Sequence, residues 1–251
     1  MDNDYLIKKP PLQALFLFAL PMIIGNLFQQ TYTMVDSAIV GRYVSEQALA
    51  AVGASYALTN IFICVAIGGG IGASVIVSRY FGAKEYGRMK TAVFTALLSF
   101  LGISLVLGIA GLILGKQIMI WLNTPADCLD MASEYLRIYF LGLPFLFMYN
   151  VLSAMFNALG KSRIPLYFLI FSSIFNVILD IIMVTKMDMG VAGVAWATLI
   201  AQGISCGSLP LVFSLKNLKG LEGKQKTLFD KMELAEMTRI AIPSILQQST
   251  V

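Results

Sequence analysis

Six times along this chain, apolar residues run on for about twenty positions or more, long enough at 1.5 Å per helical residue to cross the ~30 Å hydrocarbon layer of a membrane. The segments extend from Leu12 to Ile39, Leu49 to Val77, Thr91 to Leu114, Met131 to Leu159, Leu166 to Val184 and Val191 to Leu215. Lipid offers the backbone no hydrogen-bond partners, so each is expected to be a helix. The expected fold class is therefore an all-α membrane protein: a six-helix transmembrane lobe (1–215), a cytoplasmic linker (216–233) and the start of a seventh helix (234–251). Composition agrees, with 58% of the 251 residues hydrophobic and only 13% charged, against about 25% charged in a soluble domain.

The same composition removes several classes of function. The chain has no histidine, so the commonest metal ligand, proton shuttle and catalytic base are missing, and pH sensing falls to carboxylates. Cys64, Cys128 and Cys206 are odd in number and widely spaced, which gives neither a disulfide framework nor a zinc site. An enzyme is not expected, nor a cofactor or a metal centre beyond a coupling ion. The net charge of +4 lies in short juxtamembrane loops and reads as topology rather than as a nucleic-acid surface. Lys and Arg crowd the N-terminus and the loops after the second, fourth and sixth segments, with Arg79, Lys84, Arg88, Lys161, Arg163 and Lys216 among them. Only Arg42, Lys116 and Lys186 fall on the other side, and Arg137 lies within the fourth segment. By the positive-inside rule the N-terminus is cytoplasmic, in a multi-pass protein of the cell membrane.

Near its end the chain repeats itself. Ala241-Ile242-Pro243-Ser244-Ile245-Leu246 resembles Ala19-Leu20-Pro21-Met22-Ile23-Ile24, about 220 residues earlier. Six spans return the chain to the cytoplasm, so a second copy would enter in the same orientation. Parallel repeats of this kind build transporters whose substrate passes between the halves. The expectation is half of a two-lobe, twelve-helix transporter. Its partners would be small-molecule substrates, membrane lipids, and either a missing second lobe or a second copy of the chain.

Polar residues inside the spans fall into stripes. Gln29, Tyr32 and Asp36 share one face of the first helix, Asn150, Ser153 and Asn157 one face of the fourth, and Ser173, Asn176 and Asp180 one face of the fifth. Thr198, Gln202 and Ser205 follow on the sixth. A carboxylate inside a lipid-embedded helix costs about 2.5–3.5 kcal/mol, so Asp36 and Asp180 are functional candidates by default. Counted at 1.5 Å per residue from the helix entries, Asn176 lies ~18 Å up from the cytoplasmic side, Asp180 ~24 Å, and Thr198, descending, ~18 Å. Asp36 would reach the outer boundary in an upright helix, and tilt or a bend at Pro21 would draw it inward. Two carboxylates, a carboxamide and a hydroxyl form an all-oxygen pocket that suits a hard cation, and the same carboxylates can hold protons instead. The glycines at 68, 69, 70 and 72 read as a packing surface, since Gly68 and Gly72 form a GxxxG pair, or as a flexible point. Of Tyr32, Tyr56, Tyr139, Phe145, Phe147, Met148 and Tyr149, only Tyr32 is assigned to substrate.

An ordered set of motifs carries a family resemblance. Thr33-Met34-Val35-Asp36-Ser37-Ala38-Ile39-Val40-Gly41-Arg42 and Ala48-Leu49-Ala50-Ala51-Val52-Gly53 come first, then Gly68 to Gly72 and Ser78-Arg79-Tyr80-Phe81-Gly82-Ala83-Lys84. Asn157-Ala158-Leu159-Gly160-Lys161-Ser162, Asn176-Val177-Ile178-Leu179-Asp180 and Gly190-Val191-Ala192-Gly193-Val194-Ala195-Trp196-Ala197-Thr198 complete it. Together they resemble the N-terminal half of the multidrug and toxic compound extrusion (MATE) family. The resemblance implies two six-helix lobes and export of cationic, lipophilic drugs driven by H⁺ or Na⁺. It also implies a cation site at Asp36, Asn176, Asp180 and Thr198, with Gln29, Tyr32 and Asn150 lining the drug cavity. Two alternatives stay open: a lipid-linked saccharide flippase of the same superfamily, and, in another class, an intramembrane aspartyl protease, against which stands the lack of a Gly-x-Gly-Asp context.

Overall fold

The computed structural model describes residues 10–207 and 227–250. Seven helices run through them: α1 (Pro11–Tyr43), α2 (Glu46–Gly82), α3 (Tyr86–Trp121), α4 (Ala126–Ala158), α5 (Arg163–Ile181), α6 (Gly190–Gly207) and α7 (Lys231–Ser249). A π turn, Ile182–Lys186, extends α5. No strand occurs among the described residues. Helices α1 to α5 are long and apolar enough to cross a membrane, and α6 is shorter. The end of the sixth predicted span (208–215), most of the expected linker (216–226), Lys8 and Lys9 lie outside the described residues.

Helices α1 to α4 are 33–37 residues long, which at 1.5 Å per residue is about 50–55 Å. They outrun the predicted spans because hydropathy marks only the part in hydrocarbon, whereas the helix continues through polar ends such as Glu46 and Arg88. Local chemistry sets the boundaries. Ser45 caps α2 by accepting the Ala48 amide at 3.0 Å, and Asp230 caps α7 through the Met232 amide at 2.8 Å, so α7 begins at Lys231, inside the stretch expected as linker. Gly160, at φ +73°, turns the chain between α4 and α5, a conformation that costs glycine little.

α4 is the central post, packed on α2 and α3 along one side and on α6 along another. Against α3 it fits closely: Phe140, 1% exposed, fills a groove left by Gly108, Gly111 and Gly115, where a methyl group at either outer glycine would lie 3.0 Å from Phe140 atoms. α1 and α5 pair beside α6 and complete the lobe. α5 is inverted relative to a soluble helix. Its only buried residues are Ser173, Asn176 and Asp180, while Tyr167, Phe171, Ile174 and Ile178 are exposed. That distribution is the one lipid favours, with apolar groups outward and polar groups turned onto one another.

α7 lies along α2, and the glycines there are a packing surface. A Cβ at Gly72 would stand 2.5 Å from the Met237 carbonyl oxygen, and one at Gly68 would stand 2.6 Å from the Ile245 amide nitrogen. Both obstacles are backbone, so only glycine permits this approach.

Candidate cation site and cleft

The polar stripes of α1, α5 and α6 converge. Asn176 sits at the centre, 3% exposed, with its amide oriented so that every partner matches. Its Nδ2 donates to Asp36 Oδ1 at 3.0 Å, and its Oδ1 accepts from the Thr198 hydroxyl at 3.3 Å and the Thr198 backbone amide at 3.2 Å. The Asp36 and Asp180 side chains lie close enough to interact electrostatically. Asp180 is wholly buried, and its Oδ1 has no hydrogen-bond partner. A buried carboxylate oxygen without a donor is costly, and a proton or a cation is what would satisfy it.

α1 continues for two helical turns beyond Asp36, to Tyr43. Asp36 therefore lies about 10 Å below the helix end and is not a solvated terminal carboxylate. Above the cluster the packing is apolar. Val40, Val184 and Val194, each one turn from Asp36, Asp180 and Thr198 respectively, are buried with Ile39, Ala48 and Val191 in one group. Tyr135 of α4 packs against that group and lies within electrostatic reach of both aspartates. This collar closes the site on the side of the α1–α2 turn.

Below the cluster the surroundings are polar. A cleft lined by Gln29, Tyr32, Tyr149, Asn150, Ser172, Ser173, Asn176, Thr198, Gln202 and Ser205 opens beneath it, so Asn176 and Thr198 belong to both the cluster and the cleft. Several donors here are already used within the protein. The Ser172 hydroxyl donates to the Ala201 carbonyl at 3.2 Å, the Ser173 hydroxyl to Leu169 at 2.8 Å, and the Asn150 amide to Leu146 at 2.8 Å. What remains facing the cleft is a mixture of uncharged carboxamides, hydroxyls and a few apolar side chains, and no Lys or Arg lines it. Such a lining carries no charge that would repel a cation. The enclosed space is about 60 Å³, enough for a few waters. A drug-sized ligand needs several hundred Å³, more than this cleft encloses.

All seven residues singled out in the sequence fall in these two connected spaces: Asp36, Asn176, Asp180 and Thr198 in the cluster, and Gln29, Tyr32 and Asn150 in the cleft. Other aromatic candidates divide. Tyr149 joins Tyr32 in the cleft, whereas Phe147 is 1% exposed in the α2–α4 core and Tyr56 is 58% exposed on the outside. Tyr135 and the valine collar were missed. Tyr135 lies about four turns before Asn150 along α4, well apart from the polar run of Asn150, Ser153 and Asn157, and valine in an apolar span carries no signal of its own.

Comparison with known proteins bears on this arrangement. Residues 21–182 match the family described as MatE. Among curated proteins, the chain is 31% identical over 194 residues to the probable multidrug resistance protein YpnP of Bacillus subtilis (77% of this chain, 44% of that one). It is 27% identical over 245 residues to the multidrug export protein MepA of Staphylococcus aureus (96% and 54%). Solved structures share the fold: an outward-facing multidrug resistance MATE family transporter (TM-score 0.89, 23% identity, 99% of this chain and 55% of that one), and a MOP superfamily transporter from Pyrococcus furiosus (TM-score 0.87, 23% identity, 99% and 55%). The chain thus spans about half the length of the relatives it matches.

Proposed function

This multi-pass membrane protein belongs to the MatE family, and from that premise we propose that it supplies the N-terminal lobe of a cation-coupled antiporter that exports cationic, lipophilic compounds across the cell membrane. The carrying observation is the Asn176 bridge. One amide holds Asp36 and Thr198 together beside the unpartnered oxygen of Asp180, at the upper end of a polar cleft that no Lys or Arg lines. The N-terminus is cytoplasmic, 1–215 is the first lobe, 216–233 the linker, and 234–251 opens a second lobe. Relatives about twice as long support that division. The family is one of transporters rather than enzymes.

The coupling follows from shared residues. A cation or proton at Asp36 and Asp180 neutralises the cluster and draws Asn176 and Thr198 toward itself, and both also line the cleft. The cleft then loses its attraction for a cationic substrate. By linkage, bound substrate lowers cation affinity by the same factor. Drug leaves as the ion enters. A lipid-linked saccharide would need cations for its phosphates, and none lines the cleft. Proteolysis would need an accessible dyad, and Asp180 is fully buried.

The test is binding of a fluorescent lipophilic cation across pH and Na⁺ concentration in Asp36→Asn and Asp180→Asn. Each variant is expected to lose the cation dependence that the parent shows. Unchanged affinity and unchanged cation dependence in both would remove the proposal, as would the absence of any cation dependence in the parent.

A further inference from the structure

The run Ser78–Lys84 carried the family resemblance but has no part in the cluster or the cleft. It contains the most deeply buried polar contact between α7 and the rest of the protein. The Tyr80 hydroxyl donates to Glu233 Oε1 at 2.7 Å, and the two residues are 6% and 8% exposed. Arg79 and Arg88 stand over the Tyr80 ring, each 5.7 Å from its centre. Arg79 also pairs with Glu236 of α7 at 3.6 Å. One turn away, the Asp230 backbone amide donates to the buried Thr95 hydroxyl of α3 at 3.0 Å. The foot of α7 is thus pinned to the cytoplasmic ends of α2 and α3. Above it, α7 backbone lies against Gly72 and Gly68 as far as Cys64, whose thiol meets the Gln248 carbonyl at 3.5 Å.

We infer that the Tyr80–Glu233 hydrogen bond is the inner latch of the α2–α7 seam, holding the substrate pathway closed toward the cytoplasm. The inference rests on the proposed reading of α7 as the first helix of the second lobe. Two features suit a contact that must break in every cycle. First, α7 sits on the glycine line of α2, and the α7 side chains that reach past it into the core are Met237 and Ile240, so opening withdraws few side chains. Second, Glu233 Oε2 is buried with no partner. Opening the seam hydrates that oxygen, and its recovered hydration offsets part of the bond that is lost. The closed state is held by Tyr80 and its flanking arginines, and the open state by water on Glu233.

The test is labelling of Met237→Cys, one turn above Glu233 and 4% exposed in the closed seam, by a membrane-impermeant maleimide from the cytoplasmic face. Cys64, Cys128 and Cys206 are replaced by alanine for this purpose. Tyr80→Phe, which keeps the ring and removes only the hydroxyl, is expected to raise the labelling rate about tenfold, the ratio that a hydrogen bond to a charged acceptor supports. Glu233→Leu should do the same, whereas Glu233→Gln keeps an acceptor for the hydroxyl, though an uncharged one, and should label between the parent and the Glu233→Leu rates. A Tyr80→Phe rate equal to the parent, or a Glu233→Gln rate equal to that of Glu233→Leu, overturns the latch. Labelling reports the seam alone: unchanged labelling with drug efflux intact removes only the latch, and faster labelling in a protein that exports nothing leaves the hydrogen bond as the fastening of the seam but removes the transporter reading and, with it, the latch's role in a substrate pathway.

Discussion

Replacing Asn176 by leucine tests whether the cluster is assembled by this one amide. Leucine has nearly the same shape, so the change removes hydrogen bonds and leaves little cavity. The bond lost to Asp36, 3.0 Å long, has an acidic acceptor, and bonds to charged groups are worth about 1.5–3 kcal/mol. At about 1.4 kcal/mol per tenfold, the cation concentration that half-displaces bound ethidium should change ~10- to 150-fold, upward for Na⁺, which loses the carboxamide oxygen as a ligand. The midpoint is read once against Na⁺ at fixed pH and once against pH without Na⁺, so the experiment works whichever ion is coupled. Partners that act together should also fail together. In a double-mutant cycle with Asp36→Leu, read by thermal melting because no cation midpoint survives without the carboxylate, the second substitution should add little to the first, with a coupling energy near the same ~1.5–3 kcal/mol. A midpoint that moves less than about twofold for both ions, or additive single effects, would refute the bridge.

Gly72→Ala puts a methyl group 2.5 Å from the Met237 carbonyl oxygen and should cost about 2 kcal/mol or more, a fall of ~4–8 °C in detergent melting at 2–4 °C per kcal/mol. Gly53→Ala, with nothing within 4 Å, should melt unchanged or slightly higher. Lys116→Ala breaks the 3.0 Å pair with Asp130, but the side chains are 60% and 90% exposed, so melting should not move measurably. A cysteine at Asp188 should react with an impermeant maleimide added outside intact cells, and one at Lys84 only from the cytoplasmic face; the reverse pattern would invert the assigned topology. Asp180→Asn should raise the melting temperature in Na⁺-free buffer by about 2–10 °C, from ~1–3 kcal/mol, while abolishing any rise on adding Na⁺. A lower melting temperature would show that the Asp180 carboxylate supports the fold.

What the chain discloses by itself follows from which signals are local. Helix count and the cluster were legible because polar residues in apolar spans stand out one by one, and their spacing shows which face they share. Depth counting even put Asn176 level with Thr198, whose hydroxyl it meets at 3.3 Å. Asp36 was harder to place, because its depth depends on where α1 ends, and hydropathy fades at Ile39 while the helix runs on to Tyr43. The valine collar was illegible in principle: Val40, Val184 and Val194 differ from dozens of other apolar residues only in what they touch. The Tyr80–Glu233 bond joins positions 153 residues apart and leaves no trace in either local sequence.

The arrangement of α5 ties stability to transport. A helix that buries only Ser173, Asn176 and Asp180 gains little from the packing that usually holds helices in place, because its apolar faces rest on lipid. Its attachment depends on the hydrogen bonds through Asn176 and on the fit around its outer end, where Val184 enters the collar. The unpartnered Asp180 oxygen works against both. On the proposed coupling, filling that position with a proton or a cation would do more than occupy a site. It would satisfy the unpartnered Asp180 oxygen and tighten α5 against α1 and α6. An apolar residue at 180 would hold the helix more firmly in every state, and the lobe would then have nothing left for an ion to change.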